Sequence, residues 1–298
     1  SSKIQKSFNS KKNKHNLHTK FIVDLTLLIT SLCLSSILLF TFQKVFVNKG
    51  IIDKINERSS HISSATRTGG LALFCVVFLI SSTLYLLGIE LFDYSVLVPL
   101  SVLFAVGLYD DIYNVDFKLK FIFQIIAAKI IIDSGLVIDN LHGILGIDQL
   151  SRISSQLLTL FIIVAIVNAI NFIDGIDALA LSVTSFFILG FEFFSSRPTG
   201  FYSLSLIILA SFIPLLYFNL KKNNKIFLGD SGSLFLGGLI AIYVLNILSN
   251  RYLIIEDYDL NKIFFVFSIL IYPIVDITRV VLVRMFNGRS PFSADKNH

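Results

Sequence analysis

Residues 154–177 read SSQLLTLFIIVAIVNAINFIDGID. The first part of this stretch is an apolar run of membrane-spanning length, because a helix needs about 20 mostly apolar residues to cross the hydrocarbon core. The second part carries two amides and two carboxylates at intervals of three residues. A carboxylate at the centre of a membrane helix costs roughly 2.5–3.5 kcal/mol on insertion scales, so acids retained at the end of such a run indicate a functional site.

The composition extends this pattern to the whole chain. Of the 298 residues, 54% are hydrophobic and 15% are charged, and the mean hydropathy is +0.78. Soluble domains carry about 25% charged residues, so the composition indicates an integral membrane protein. The two cysteines, Cys33 and Cys75, both lie in apolar runs, where the role of a small hydrophobic residue is expected.

Apolar runs of spanning length recur about nine times. From them we predict an all-α fold, a polytopic transmembrane helix bundle preceded by a basic tail at residues 1–20. Residues 21–298 then form a single transmembrane domain. The predicted spans are residues 21–42, 71–89, 91–109, 119–138, 154–170, 176–194, 202–219, 233–250 and 263–285.

Lysine and arginine are distributed unevenly between the loops. Thirteen follow odd-numbered spans and four follow even-numbered spans, so the positive-inside rule puts the odd loops in the cytoplasm and the N-terminus outside. The six lysines of residues 1–20 conflict with this orientation. Asp276 lies inside the ninth span, where we predict an ion pair with Arg279. The other acidic clusters share one membrane face, at residues 110–111, 168–177, 230 and 295–298.

Asp110 and Asp111 end the third predicted span. Neighbouring carboxylates repel each other, so the pair either shares a proton or faces a cation, such as a divalent metal or a phosphoryl substrate with its Mg²⁺. A cap for the next helix is the alternative.

Asn168, Asn171, Asp174 and Asp177 form a polar stripe, since residues three apart share one helical face. Two of the four are acidic, which favours a binding site, and Gly175 is expected to break the helix there. Polar contacts between helices are the alternative.

Residues 227–233 read FLGDSGS and lead into the eighth span. The spacing of a nucleotide-hydrolysing phosphate loop is absent, so that mechanism is not supported. The Asp230 carboxylate could hold a metal while the helix N-terminus favours a phosphate. An ordinary helix cap is the alternative.

Two further segments combine basic residues with histidine. Residues 57–70 contain Arg58, His61 and a glycine pair before a helix, which suggests an anion-binding surface. A positively charged cytoplasmic loop is the simpler account. Residues 287–298 combine arginine, lysine, an acid and a histidine, and indicate little by themselves.

Taken in order, these motifs resemble the polyprenyl-phosphate N-acetylhexosamine-1-phosphate transferase family. It includes the enzymes that start O-antigen, enterobacterial common antigen and teichoic acid synthesis, and the phospho-N-acetylmuramoyl-pentapeptide transferase of peptidoglycan synthesis. The resemblance implies transfer of a sugar 1-phosphate from a UDP-sugar to undecaprenyl phosphate, with release of UMP. The motifs that carry it are residues 57–70, 107–111, 168–180, 227–238 and 290–298.

The family also implies a cofactor, partners and a location. Mg²⁺ is the expected cofactor, with Mn²⁺ as a substitute. The expected partners are the UDP-sugar, the polyprenyl phosphate lipid and the membrane, with no nucleic acid and with a homodimer left open. The location is the bacterial cytoplasmic (inner) membrane, crossed many times, with the active site facing the cytoplasm.

The resemblance assigns roles to single residues. Asp110 and Asp111 match a catalytic aspartate pair close to Mg²⁺, the first of which takes a proton from the lipid phosphate. Asp230 matches a metal-ligating aspartate, with Asp111 as the second metal residue. Phe227 resembles an aromatic residue that stacks near uracil. The full set predicted to bind substrate is Asn168, Asn171, Asp174, Asp177, Phe227, Arg58, His61 and His298.

His298 matches the first histidine of a terminal His-rich motif. The domain at residues 21–298 is therefore expected to be catalytic but truncated at its C-terminal end, with ten or more spans in the full protein.

Departures from the family pattern inform the subtype. Residues 55–70 lack the prolines common in relatives. This segment and the ending at residues 290–295 look closer to the O-antigen and teichoic acid branch, with UDP-N-acetylglucosamine or a related deoxy sugar as the expected donor. Ala178 replaces a glycine of the family, so we expect ordinary helical dihedrals there. The competing interpretations are a peptidoglycan-type transferase, a noncatalytic scaffold or degraded homologue, and a secondary transporter, which predicts acids near the bilayer midplane.

Overall fold

The computed structural model describes residues 2–52, 65–141, 146, 149–248, 252–255, 261–286 and 288. Arg58, His61 and His298 lie outside the described residues, so their predicted roles stay predictions. Within this part of the chain there are nine α-helices and one pair of short strands. In chain order they are α1 (Ser2–Asn48), β1 (Ala65–Thr66), α2 (Gly69–Leu86), α3 (Leu97–Tyr113), α4 (Phe117–Asp133), α5 (Arg152–Ile173), α6 (Leu179–Phe193), α7 (Tyr202–Leu220), β2 (Lys225–Ile226), α8 (Gly229–Leu248) and α9 (Lys262–Phe286).

The prediction of an all-α polytopic membrane protein is confirmed, and each predicted span corresponds to one helix. Seven of the described helices are long and apolar enough to cross a membrane. The other two, α4 and α6, have 17 and 15 residues. The count of nine spans, the division at residue 20 and the N-terminus outside stay predictions, and the backbone of residues 2–20 continues α1.

Helix α8 lies at the centre of the bundle. Of its most apolar window 89% is buried, against 22% for α1 and α9. Glycines on α8 allow this close packing: a Cβ on Gly237 would lie 2.7 Å from the Cα of Val167 on α5. A Cβ on Gly238 would lie 2.4 Å from the side chain of Leu103 on α3. Small residues are used in this way between membrane helices because they let two backbones approach.

The start of α8 is in equally close contact with α2 and α3. A Cβ on Gly70 would lie 2.1 Å from the backbone nitrogen of Gly232, and one on Gly107 would lie 2.4 Å from the carbonyl oxygen of Asp230. Real Cβ atoms are not found at such distances from backbone atoms. Both glycines are therefore required for these helices to reach α8.

We expect Gly70→Ala to destabilise the fold by about 1–3 kcal/mol or more, because the added methyl group overlaps backbone atoms that cannot move away. The measurement is the midpoint of thermal unfolding of the purified protein in detergent. Gly200→Ala is the matched control, since a Cβ there would have no neighbour within 4 Å. Equal midpoints for the two variants would show that α2 and α8 are not packed as described.

Strands β1 and β2 are parallel and pair Ala65 with Lys225 and Thr66 with Ile226. They join the segment before α2 to the segment before α8. The pairing continues into α2, where the Gly69 N–H donates to the Phe227 carbonyl at 2.9 Å and the Gly70 N–H to the Leu228 carbonyl at 2.7 Å. The suggestion that this glycine pair binds an anion is not supported, because both N–H groups are already used.

Asp276 and Arg279 form the predicted ion pair, with 2.9 Å between an arginine nitrogen and a carboxylate oxygen. This pair lies on α9, one turn apart. The prediction that Asp276 has a local partner of its own is confirmed.

Candidate functional site

Asp111 caps the N-terminus of α8. Its two carboxylate oxygens accept the backbone N–H groups of Asp230 and Ser231, both at 2.9 Å. The first N–H groups of a helix have no partner within the helix, so a carboxylate on another element satisfies two of them at once. Gly229 has φ +75°, and a Cβ there would lie 2.7 Å from Asp111 Oδ2. The turn that carries Asp230 is thereby fixed to the end of α3.

Lys120, in the first turn of α4, bridges two of the acids. Its Nζ lies 3.2 Å from Asp110 Oδ2 and 2.8 Å from Asp230 Oδ2. The other oxygen of Asp110 accepts the Val115 N–H at 2.8 Å. The side chains of Lys120, Asp110 and Asp230 are 22%, 10% and 24% exposed, so water screens this arrangement only in part. One ammonium group thus holds together carboxylates that come from α3 and α8.

Asp174, at the end of α5, completes the acid cluster, by which we mean Asp110, Asp111, Asp174 and Asp230. Burial raises the pKa of the Asp174 carboxyl well above its usual range, and the Asp230 and Asp111 carboxylates raise this pKa further. Arg67 and the Gly229 N–H lower the pKa of Asp174 and so partly oppose these effects. Because the acids repel one another, a proton or an added cation at this position lowers the energy of the cluster.

The two asparagines of the stripe have different surroundings. Asn171 donates to Ser233 Oγ at 2.8 Å and so contacts α8 close to Asp230. Asn168 lies one turn deeper and forms a reciprocal amide pair with Gln124 of α4, at 2.7 and 3.3 Å. The structure therefore brings Asn171 to the acid cluster, while Asn168 makes the polar contact between helices that was the alternative interpretation of this stripe.

Asp177 and Phe227 lie at the rim of the site and share one neighbour. Asp177, 41% exposed, forms an ion pair with Lys225. The Lys225 ammonium is also 5.8 Å from the centre of the Phe227 ring, within the range of a cation–π contact. The turn between α5 and α6 is thus connected to strand β2.

Ala178 differs from its prediction. We expect helical dihedrals from the sequence, but the residue has φ +61° and ψ −5°, in the left-handed region. Helix α5 ends at Ile173, close to the break predicted at Gly175, and the chain turns into α6 through Ala178. Its N–H donates to Asn219 Oδ1 at 2.7 Å, which helps to hold this conformation.

Ala178→Gly is expected to stabilise the protein by about 0.5 kcal/mol. The left-handed conformation costs a non-glycine residue roughly 1–2 kcal/mol, and part of this gain is lost to the greater freedom of glycine in the unfolded chain. The measurement is a higher midpoint of thermal unfolding. Ala165→Gly, inside α5, is the control and is expected to lower the midpoint, because glycine weakens a helix interior. A lower midpoint for Ala178→Gly would contradict the backbone geometry at this turn.

The donor atoms at the site fit a hard divalent cation that arrives with a phosphate. In the part of the chain that the structure describes, no three His, Cys, Asp or Glu side chains form a metal-binding group. Asp110 and Asp230 nevertheless both direct a carboxylate oxygen at one cation, the Lys120 ammonium. Mg²⁺ in proteins is commonly held by one or two carboxylates together with substrate phosphates and water, so a third protein ligand is not required.

A family model, "Glycosyl transferase family 4", matches residues 93–248, which include the whole acid cluster and more than half of the chain. The chain belongs to glycosyl transferase family 4. The recognition made from the sequence motifs is thereby confirmed.

Relatives within glycosyl transferase family 4 carry consistent names. A probable undecaprenyl-phosphate N-acetylglucosaminyl 1-phosphate transferase of Bacillus subtilis (strain 168) is 32% identical over 86% of this chain and 70% of its own length. A decaprenyl-phosphate N-acetylglucosaminephosphotransferase of Mycobacterium tuberculosis is 33% identical over 84% of this chain and 68% of its own length. An undecaprenyl-phosphate alpha-N-acetylglucosaminyl 1-phosphate transferase of Salmonella typhi is 28% identical over 94% of this chain and 76% of its own length.

Two residues of this family member were missed from the sequence. Lys120 is not among the site residues predicted from the sequence, although a lysine in the first turn of an apolar helix, at the membrane face that carries the acids, is a usable signal. Asn219 sits at the end of α7 without any neighbouring motif, and its partners are distant in sequence. No local pattern would have identified it.

Proposed function

We propose that the protein transfers N-acetylglucosamine 1-phosphate from UDP-N-acetylglucosamine to undecaprenyl phosphate and releases UMP. The observation that carries this proposal is the acid cluster bridged by Lys120 at one end of an apolar bundle. The names of the relatives, which are phosphotransferases of this sugar, support the same reaction. The protein is thus an enzyme of the sugar-1-phosphate transferase class.

The reaction joins two phosphates and needs cations near them. An oxygen of the lipid phosphate attacks the phosphorus that bears the sugar, and the bond from this phosphorus to the bridging oxygen breaks, so that UMP leaves with the electron pair. Lys120 is placed to stabilise the negative charge that gathers during this attack, since stabilisation of charge provides most of the catalysis in phosphoryl transfer. Asp110 lies beside Lys120 and is the residue to which we assign the proton of the lipid phosphate.

Mg²⁺ is the cofactor we propose, with Mn²⁺ as a substitute. When bound, the metal would neutralise charge on the diphosphate and orient it for in-line attack. Asp230 is the ligand we favour, with Asp110 next to it. Asp111, also predicted as a metal residue, has both carboxylate oxygens engaged by backbone N–H groups, and we assign to it the fixing of the Asp230 turn.

The proposed orientation puts the acid cluster at the cytoplasmic face of the bacterial inner membrane. The odd-numbered loops carry most of the lysines and arginines. Two of them, the loop before α2 and the loop before α8, are joined by the pairing of β1 with β2. A site at this face is open to a soluble nucleotide sugar, while the surrounding apolar helices leave the lipid chain in hydrocarbon. A homodimer remains an expectation from the sequence.

A secondary transporter is the less favoured class. It predicts acids near the middle of the membrane, whereas the acid cluster gathers the end of α3, the end of α5 and the start of α8. Membership of glycosyl transferase family 4 also favours an enzyme over a transporter. A peptidoglycan-type donor is also less favoured, because the relatives described above are named for N-acetylglucosamine.

The test uses the full-length protein purified in detergent with undecaprenyl phosphate, UDP-N-acetylglucosamine and Mg²⁺. We expect release of UMP that requires the lipid and stops when EDTA removes the metal. Parallel reactions with other UDP-sugars establish donor preference. Absence of UMP release with every UDP-sugar would refute the enzyme assignment, and release that persists in EDTA would refute the cofactor.

A further inference from the structure

Asn219 joins two segments that flank the acid cluster. The residue lies in the last turn of α7 and is 4% exposed, so its side chain is buried. Its Oδ1 accepts the Ala178 N–H at 2.7 Å, and its Nδ2 donates to the Ile226 carbonyl at 3.0 Å. Ala178 closes the turn after α5, whereas Ile226 belongs to β2, shortly before the turn that carries Asp230.

The amide side chain satisfies both backbone groups. It presents an acceptor and a donor at a fixed separation, whereas a carboxylate lacks the donor and an aliphatic side chain lacks both. A buried backbone group left without a partner is costly, so each bond constrains the segment that it holds. The bond to Ala178 has a further effect, because this residue holds a left-handed conformation that alanine disfavours.

A second connection crosses the same junction at the surface. Lys225, the neighbour of Ile226 in β2, pairs with Asp177, the neighbour of Ala178 in the turn. The Asp177 side chain is 41% exposed, so water and side-chain entropy offset part of the attraction in this ion pair. Asn219 is therefore the stronger of the two connections.

We infer that Asn219 is a positioning residue of the transferase, acting on the side of the site that receives the nucleotide sugar. This inference rests on the proposed function. Asn219 sets the turn with Asp174 and Asp177 against the strand that leads to Phe227. The Asp230 turn has its own support in the two bonds to Asp111, so it does not depend on Asn219 alone.

Loss of this connection has a specific kinetic consequence. We expect Asn219→Leu, which removes both hydrogen bonds, to raise the KM for UDP-N-acetylglucosamine about tenfold, because the free energy of two buried hydrogen bonds is enough for a change of this size. The KM for undecaprenyl phosphate changes by less than about threefold on the same scale. Ser211→Ala is the matched control on α7, since this buried hydroxyl donates to the Ile207 carbonyl of its own helix, and both KM values are expected to stay at the wild-type level.

A double-mutant cycle with Ala178→Gly separates positioning from packing. Glycine adopts the left-handed conformation unaided, so in the Ala178→Gly background Asn219→Leu is expected to raise the donor KM by only about threefold. Equal effects of Asn219→Leu in the two backgrounds, or equal rises in both KM values, would overturn the inference. If Asn219→Leu fails to fold, Asn219→Asp is measured in the wild-type background alone. The carboxylate keeps the acceptor for the Ala178 N–H and loses the donor to the Ile226 carbonyl, so we expect the donor KM to rise more than the lipid KM, and equal changes in both would overturn the inference.

Failure of the proposed function would be visible separately. A wild-type protein without turnover refutes the transferase and leaves the coupling between Asn219 and Ala178 measurable by thermal unfolding in the same cycle. Additive shifts in the unfolding midpoint would then overturn the connection itself.

Discussion

Asp230→Asn is expected to lower turnover about 10²- to 10³-fold while leaving the fold intact, the magnitude typical of removing a group that stabilises charge in a transition state. Asparagine has the same size, and the backbone N–H of residue 230 still donates to Asp111. The variant loses the negative charge that pairs with Lys120. This charge is on the carboxylate that we propose as a Mg²⁺ ligand. The variant therefore isolates the electrostatic role of this carboxylate.

Three measurements are needed for this variant. UMP release gives the turnover, thermal unfolding in detergent tests the fold, and a Mg²⁺ titration of the unfolding midpoint tests metal binding without turnover. Asp133→Asn is the matched control, because Asp133 is also an aspartate paired with a lysine, Lys129, but is 59% exposed and lies at the far end of α4. Wild-type turnover in Asp230→Asn would remove Asp230 from the reaction.

Lys120→Met is expected to lower turnover about 10²-fold or more, because one positioned group that stabilises charge contributes at least this factor to the rate. Methionine keeps the length and apolar character of the side chain but leaves Asp110 and Asp230 facing each other without a cation between them. The lost charge also faces the phosphates in the proposed reaction. UMP release at saturating concentrations of both substrates measures the effect.

Lys120→Arg and Lys129→Met are the controls for this prediction. Arginine restores the charge with a different geometry, so partial recovery is expected. Lys129 lies on the same helix and pairs with the exposed Asp133, so its replacement should leave turnover near the wild-type rate. Full activity in Lys120→Met would show that the bridge between the acids is dispensable.

The sequence predicted the helices because their signal is local. Each apolar run shows itself without knowledge of its neighbours, and each of the nine predicted spans corresponds to a helix. The ends were less certain: α4 stops at Asp133, before its predicted end, because Gly135 takes a left-handed conformation at φ +88°. The excess of lysines and arginines in the odd-numbered loops also predicted that the acids share one membrane face. The contact of Asp111 with the Asp230 turn agrees with this prediction.

The contacts within the site could not be predicted, because they join residues far apart in the chain. Asp111 and Asp230 are separated by 119 positions, and nothing in either motif shows that one caps the other. The pairing of Asn168 with Gln124 depends on the packing of α4 against α5. The left-handed Ala178 depends on a bond from Asn219, so the local sequence alone gave the wrong dihedrals. Such contacts are set by tertiary structure and have no periodic pattern.

In the proposed reaction, the sugar and its attached phosphate move together to the lipid. This transfer is tested most directly with UDP-N-acetylglucosamine labelled with ³H in the sugar and ³²P in the phosphate that bears the sugar. After incubation with the purified protein, undecaprenyl phosphate and Mg²⁺, we predict that both labels enter the organic phase in their original ratio while unlabelled UMP stays in water. Sugar label in the lipid with ³²P left in aqueous UDP, or neither label in the lipid, would contradict sugar-1-phosphate transfer.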